Sequence, residues 1–178
     1  MKAPPAPEFS RVIEVARLKR DEQSFEIAAN PAERAALAKR FDLVALDRLA
    51  AVVRLGQIPG GLFRLTAELD ADVTQACVVS LAPVHSRVEE EFTVLYGGGG
   101  EAHEVNLDGA AETIEPIENG VIDIGEAVAQ QLSLALDPFP HAPGAEASIA
   151  ASVPGAAAKP LSPFQALAAL KKQNNSKE

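Results

Sequence analysis

Apolar and polar residues alternate with a period of two between Leu46 and Tyr96, and this stretch constrains the fold more than any other feature of the chain. The alternation predicts three long strands, over residues 46–58, 61–81 and 84–96. Pro59-Gly60-Gly61 and Ala82-Pro83 separate the three segments and are typical turn residues. Short connections of this kind join antiparallel neighbours. The sequence therefore predicts a sheet of long antiparallel strands at the centre of the molecule.

Shorter elements precede this sheet. Residues 9–18 alternate well enough to predict a strand, and residues 24–29 predict a second strand that pairs with it. A helix is then predicted over residues 31–41. Asn30 is a favoured N-cap residue, and Glu33 stands three positions later, where a capping box places its acidic member.

A second helix is predicted within the stretch NGVIDIGEAVAQQLSLALDPFPHAP, residues 119–143. Asp123 is its candidate N-cap and Glu126 is the expected capping-box partner. The helix extends over about 123–136 and ends at Asp137-Pro138, because the residue before proline avoids the α conformation. Its apolar side is suited to docking on a sheet.

Together these elements predict an α+β fold: a curved antiparallel or mixed sheet, two main helices, and a flexible C-terminal tail ending in a short helix. The predicted organisation is a flexible N-terminus (1–8), one domain (9–143), and a Pro/Ala-rich linker with a short terminal helix (144–178). Phe164, Leu167 and Leu170 have helical spacing in that last segment. The acidic segment 101–118 is the least regular part of the predicted domain.

The net charge of −9 is distributed unevenly along the chain. After Arg87 no Lys or Arg occurs before Lys159. Thirteen acidic residues lie between them: Glu89, Glu90, Glu91, Glu101, Glu104, Asp108, Glu112, Glu115, Glu118, Asp123, Glu126, Asp137 and Glu146. Such a surface repels nucleic acid and attracts basic partners. An acidic surface that serves only solubility fits the pattern equally well.

The sequence also bears on the protein's compartment. One cysteine, Cys77, allows no intrachain disulfide and is typical of a reducing environment. Basic residues near the N-terminus are not followed by the long apolar run of a secretory signal, and no stretch has the ~18 apolar residues of a membrane span. We therefore expect a cytoplasmic protein without membrane contact.

No residue pattern predicts catalysis, a metal site or a cofactor. The three histidines, His85, His103 and His141, have no neighbours at ligand spacing. Cys77 and Ser80 have no nearby histidine, and Cys77 is predicted to be a small core residue rather than a nucleophile. In a strand, at most two of Glu89, Glu90 and Glu91 share a face. We expect no enzymatic activity; an unrecognised carboxylate site is the remaining enzymatic alternative.

Two blocks of the sequence resemble a known family. TQACVVSLAPVHSRVEEEF (74–92), followed by EPIENGVIDIGEAVAQQLSLALDPFPHAP (115–143), is similar to the YceD family, the large ribosomal RNA subunit accumulation proteins of bacteria and plastids. The resemblance spans roughly residues 9–143. The terminal SPFQALAALKK also resembles the Pro-Phe-x-x-Leu-x-x-Leu ending of proteobacterial members.

This resemblance implies a role in the accumulation of 23S ribosomal RNA and in large-subunit assembly, and it implies no known catalytic activity. Many family members carry Cys-x-x-Cys at the position of Cys77, and some add a second cysteine pair after the helix that corresponds to 123–136. Four thiolates at such spacings make a structural zinc site. Here Ser80 stands at the second position, and DPFPHAPGAE contains no cysteine. We therefore do not expect zinc.

The first functional hypothesis is a non-enzymatic factor supporting 23S rRNA accumulation and large-subunit assembly. Its partner is the large-subunit precursor, through a basic ribosomal protein and/or 23S rRNA. The residues expected to meet this partner are Glu89, Glu90, Glu91, Asp123 and Glu126. For Asp123 and Glu126, the capping of a core helix is the competing interpretation. The alternative function is direct RNA binding or processing through the basic N-terminus, with Arg11, Arg17, Lys19 and Arg20.

Overall fold

Strands dominate the computed structural model, which describes residues 7–18, 21–97, 103–107 and 110–145. The strands are β1 (Val12–Glu14), β2 (Gln23–Ala28), β3 (Ala45–Ile58), β4 (Leu62–Ala76), β5 (Pro83–Gly97), β6 (His103–Leu107), β7 (Ala110–Pro116) and β8 (Val121–Asp123). The helices are α1 (Pro31–Arg40) and α2 (Ile124–Ala135), and a single 3-10 turn spans Val15–Arg17. This confirms the predicted α+β class, with two main helices. The predicted tail lies outside the described residues.

Six strands form one mixed sheet in the order β2-β3-β4-β5-β7-β6, and β1 pairs with β8 in a separate two-stranded sheet. All neighbours in the large sheet are antiparallel except β5 and β7, which are parallel. The three long predicted strands therefore exist as consecutive antiparallel neighbours. Gly60 and Gly61 connect β3 to β4 with positive φ angles of 89° and 76°, a conformation that favours glycine.

Alternation along β3 and β4 separates two faces of the sheet. We call inner the face whose side chains are buried in the core; on these two strands they include Leu49, Val53, Leu55, Leu65 and Leu69. Val128, Ala129 and Leu132 of α2 and Leu37 of α1 belong to the same core. Both helices therefore cover this face, and their burial stabilises the fold by roughly 1.5–3 kcal/mol per large side chain.

The start of α1 follows the sequence prediction. The Asn30 side chain accepts hydrogen bonds from the backbone N–H groups of Ala32 (2.9 Å) and Glu33 (3.0 Å). In return, the Glu33 carboxylate accepts from the Asn30 N–H at 2.8 Å. The predicted capping box is thereby confirmed, and the helix ends at Arg40, close to the predicted boundary.

The N-terminal segment lies directly on the first turn of α2. The side chain of Phe9 is fully buried, and the Ile124 N–H donates to the Arg11 carbonyl at 3.0 Å. A Cβ atom on Gly125 would lie only 2.5 Å from the Phe9 carbonyl oxygen, so the close approach depends on glycine. This contact joins the N-terminal segment to the last helix, α2.

Two predictions about strands were wrong. The segment 9–18 contains only the three-residue strand β1, and β1 pairs with β8, not with β2. Strand β2 pairs with β3 instead. The acidic segment 101–118 contains the paired strands β6 and β7, although its composition predicted little regular structure. In both cases the partner strand, which local alternation does not identify, decides the structure.

The C-terminal end of β4 also differs from the prediction. The strand was expected to continue to residue 81 but ends at Ala76. The next residues form a turn, in which the Cys77 N–H donates to Ala82 O and the Leu81 N–H donates to Cys77 O. Leu81 has a φ of 60°, which a strand does not allow.

Among the described helices, none is both long and apolar enough to cross a membrane.

Candidate functional site

The sheet face opposite the helices carries a group of acidic side chains. We call it the outer face and define it by two rows of directly opposed residues on β2–β5: Ala28, Ala50, Asp70 and Glu89, and Glu26, Val52, Glu68 and Glu91. Opposed residues of neighbouring strands project to the same side, so each row crosses four strands. A shallow depression of about 790 Å³ lies over these rows.

The floor of the depression is apolar. Ala28 and Val52 are exposed and Ala50 is half-buried, and the acidic residues flank these three. The long aliphatic stems of Lys and Arg pack on such surfaces while their charged groups remain at the margin. The arrangement therefore suits a cationic side chain better than a small polar molecule.

Among the described residues, the five carboxylates of the outer face pair with only three arginines, which lie in the adjacent rows, so the face stays negatively charged. The arginines pair as follows: Arg48 with Asp70 (3.0 Å), Arg54 with Glu68 (2.7 Å), and Arg87 with Asp70 (3.0 Å) and Glu89 (2.8 Å). Within the described part of the chain, Glu26 and Glu91 have no ion-pair partner. These two carboxylates can accept a basic group without first releasing another.

The predicted run of glutamates divides between the two sides of β5. Glu89 and Glu91 lie on the outer face, opposite Asp70 and Glu68, whereas Glu90 is opposite Leu69 on the other side. All three side chains are exposed. The prediction that at most two of them share a face is therefore confirmed.

Sequence reasoning missed the other acidic members of this face, Glu26, Glu68 and Asp70. They come from β2 and β4, and only the register of β2–β3 and β3–β4 brings them beside Glu89 and Glu91. The alternation of β4 placed Glu68 and Asp70 on one side of a strand, which was the available signal. It did not indicate which neighbours they would meet.

Asp123 has a structural role in the fold. Its carboxylate accepts hydrogen bonds from two N–H groups of the first turn of α2, those of Gly125 and Glu126, both at 3.1 Å. It also accepts from the Arg11 N–H at 2.7 Å and from the Ser10 hydroxyl at 2.5 Å. The predicted N-cap is confirmed, and one carboxylate connects α2 to the N-terminal segment.

Glu126 pairs with Arg40 of α1. Its oxygens lie 2.8 and 3.0 Å from the two terminal nitrogens of Arg40, and Gln130 donates to it at 3.1 Å. The predicted capping-box role of Glu126 is wrong, because this bidentate pair holds the side chain away from the helix start. Contact of Asp123 or Glu126 with a partner stays a prediction.

The basic N-terminal residues differ in their surroundings. Arg11 donates to both oxygens of Glu33, at 2.8 and 3.0 Å, and its guanidinium lies 4.7 Å from the centre of the Phe9 ring. The hydrogen bonds to Glu33 raise the pKa of Arg11. Arg17 is exposed and pairs with Glu14 at 2.8 Å. Lys19 and Arg20 lie outside the described residues.

Cys77 is a buried residue at the end of β4. Hydrogen bonds from the backbone of Ala142 and from Ser80 lower the pKa of its thiol to about 6. A structural zinc site needs four ligands. In the described ranges no three His, Cys, Asp or Glu side chains are grouped closely enough to hold a metal, and Ser80 stands where a second thiolate would be needed. The residues present here do not fit the zinc site of cysteine-rich family members.

His85 and His141 contact nearby groups of the protein. His85 Nδ1 lies 2.8 Å from the Thr74 hydroxyl, and His141 Nδ1 lies 2.6 Å from the Phe139 carbonyl oxygen. Neither contact includes a carboxylate or a nucleophile of the kind that a catalytic histidine uses.

The fold and the outer face define an α+β protein with one helix-covered sheet face and one open, acidic face that is suited to a cationic partner. The family model described as large ribosomal RNA subunit accumulation protein YceD matches residues 65–171, more than half of the chain, and the chain belongs to this family. No curated protein and no solved structure matches the chain.

Proposed function

We propose that this protein is a non-enzymatic factor in the cytoplasm that supports 23S rRNA accumulation during large-subunit assembly, and that its outer face binds a basic segment of a ribosomal protein. Membership of the YceD family supports the proposed role in 23S rRNA accumulation. The proposed binding mode rests on one observation: five carboxylates surround a small apolar floor on an open sheet face.

The proposed contact uses several weak interactions at once. Lys or Arg stems lie on Val52 and its alanine neighbours, and their charged groups reach Glu26 and Glu91. Exposed acid–base contacts contribute only ~0–1 kcal/mol each, so useful affinity requires several of them together. A flexible basic extension of a ribosomal protein supplies closely spaced cations and fits this requirement.

The test of the binding face compares two variants with the same change in charge. One replaces Glu26, Glu89 and Glu91 with Gln; the matched control replaces Glu22, Glu115 and Glu118, which are exposed and do not line the depression, with Gln. Both are assayed for association with large-subunit precursors at low salt. We expect the first variant to bind roughly tenfold more weakly, a loss of about 1.4 kcal/mol, and the control to bind as the wild type does. Equal losses in both variants would contradict the proposed face.

The role in the cell is tested by deletion and complementation. Loss of the gene is expected to lower the ratio of 23S to 16S rRNA or to cause precursor large subunits to accumulate. Wild-type protein should restore the profile, and the outer-face variant should not. A deletion strain with a normal ribosomal subunit profile, both at its usual growth temperature and in the cold, would contradict the proposed role in large-subunit assembly.

Direct RNA binding through the N-terminus predicts a different result. A variant with Arg17, Lys19 and Arg20 replaced by Gln would then lose association with precursors, while the outer-face variant would keep it. Purified protein would also bind 23S fragments alone, with an affinity that falls steeply with salt. Arg11 is left unchanged in this variant because its ion pair with Glu33 belongs to the fold.

A further inference from the structure

Large apolar side chains are exposed at one end of the molecule. Seven such residues occur in the described part of the chain, and five of them form what we call the apolar end: Val44, Val78, Leu81, Leu134 and Phe139. Leu81 and Leu134 are each 78% exposed and Phe139 is 68% exposed. Single exposed apolar residues are normal, but a concentration of them marks a contact surface.

Hydrogen bonds place Val44, Val78 and the segment that carries Phe139 at the same end of the sheet, where β4 finishes, and Leu134 lies in α2 shortly before that segment. The Val44 N–H donates to the Thr74 carbonyl at 2.8 Å, and the Val78 N–H donates to the Pro140 carbonyl at 2.9 Å. The Gln75 side chain donates to the carbonyl of Asp137 at 2.8 Å. The segment after α2, which carries Phe139, is therefore attached to the last residues of β4.

Leu81 has an unusual backbone conformation at this end. Its φ of 60° lies in the left-handed region, which is unfavourable for a residue with a branched side chain. The strained backbone presents the leucine to solvent, where it makes no core contact. A partner that covers the Leu81 side chain would compensate for the backbone strain and for the exposure of an apolar group to water.

We propose that the apolar end is the docking site of the chain's own C-terminal segment, residues 162–172 (SPFQALAALKK). In this segment Phe164, Leu167 and Leu170 recur at helical spacing and would form one apolar stripe. The stripe matches the apolar end in chemistry: aromatic and aliphatic side chains on both sides.

The path of the chain favours this occupant. Ala145, the last described residue, is buried, and its N–H donates to the Ala142 carbonyl at 3.1 Å. Ala142 in turn contacts Cys77, so the chain departs from the apolar end itself. Sixteen residues, 146–161, connect it to the segment. A random-coil chain of sixteen residues has a root-mean-square span of roughly 20–25 Å, and a tether of that span gives an attached segment a local concentration in the millimolar range.

The test is a photo-crosslink in the full-length protein. Phe139 is replaced by p-benzoylphenylalanine, a conservative change at an exposed aromatic position, and the matched control carries the same residue at Val52 on the outer face. Cleavage after glutamate separates a peptide 127–146 from a peptide 147–178, so that a link between them is visible by mass spectrometry. We expect the link from position 139 to form at least ten times more often than the link from position 52.

Two variants of the segment test its apolar stripe. Leu167→Asp should reduce the link from position 139 at least fivefold, whereas Ala169→Asp, on the opposite side of the predicted helix, should leave it within twofold. Circular dichroism confirms that both variants keep the folded domain. Equal effects of the two changes would overturn the proposal, as would equal linking from positions 139 and 52.

A mixture of 15N-labelled and unlabelled chains distinguishes the segment from a second copy of the protein. Links within one chain carry a single isotope, which is the expected result. Links of mixed isotope would overturn the proposal and assign the apolar end to contact between copies.

Discussion

Gly125 shows how a single residue fixes the relation between the N-terminal segment and α2. Because glycine has no side chain, the backbone of Phe9 and Arg11 can approach it closely. A Cβ atom at this position would lie 2.5 Å from the Phe9 carbonyl oxygen and 2.9 Å from the Arg11 backbone nitrogen. Both neighbours are backbone atoms, so they cannot move aside by changing a rotamer. The glycine therefore lowers helix propensity but permits a contact that the Asp123 carboxylate then completes.

Replacement of Gly125 by Ala is expected to destabilise the protein by about 2–3 kcal/mol, because the clash with Phe9 outweighs the gain in helix propensity. The measurement is the free energy of unfolding in urea. Ser133→Ala, at an exposed site of the same helix, serves as the control and should change it by less than ~0.5 kcal/mol. A Gly125→Ala variant as stable as wild type would show that the N-terminal segment does not pack on α2 in this way.

At the scale of elements, Arg40 connects three parts of the chain. It extends from the last turn of α1 and pairs with Glu126 of α2 at 2.8 Å and with Glu8 of the N-terminal segment at 2.9 Å. The hydrogen bonds to Glu126 are the largest cause of the raised pKa of Arg40. A bidentate, half-buried pair of this kind is stronger than an ordinary surface ion pair.

A double-mutant cycle measures this connection. Arg40→Met and Glu126→Gln, alone and together, should give a coupling energy of about 1 kcal/mol, which decreases in 1 M salt. The pair Arg54–Glu68 on the open sheet is the control. Because its side chains are 44% and 55% exposed, its coupling should stay below ~0.5 kcal/mol. Equal couplings for the two pairs would contradict the special role of Arg40.

The elements that sequence reasoning predicted correctly are those with local signals. The alternation of β3, β4 and β5 and the N-caps Asn30 and Asp123 are each contained in a few neighbouring residues. The partner of β1 and the pairing of β6 with β7 were missed because they depend on residues far away or on the tertiary context. The same limit applied to the candidate site: the sequence singled out Glu89, Glu90 and Glu91, but which of them share a face with Glu26, Glu68 and Asp70 depends on strand register.

At the scale of the whole molecule, the matched family region and the folding unit do not coincide. The family match begins at Leu65, within β4, so that β3 and α1 lie outside it. Strand β3 pairs with β4 along nearly its whole length. The fully buried Phe9, Leu37 and Val53 also precede the matched region, yet they belong to the common core.

A fragment of residues 62–178 is therefore expected to show no cooperative thermal unfolding, because the edge of β4 that pairs with β3 loses its partner and the core loses more than a third of its buried residues. Mixing it with residues 1–61 should restore the transition, since the division falls at the exposed Gly60-Gly61 turn. Circular dichroism during heating provides the measurement, with the intact protein as control. Cooperative unfolding of the isolated fragment would show that the family region folds independently.

The pairing of β1 with β8 has a consequence for the time at which the fold can close during synthesis. Arg11 and the Asp123 carboxylate that accepts its N–H are separated by 112 residues. At ~5–20 residues per second, roughly 6–22 s pass between the translation of these two positions. Throughout that interval the first strand of the nascent chain has no partner. A protein proposed to act in building ribosomes thus depends, for the pairing of its own first strand, on the ribosome finishing nearly the entire domain.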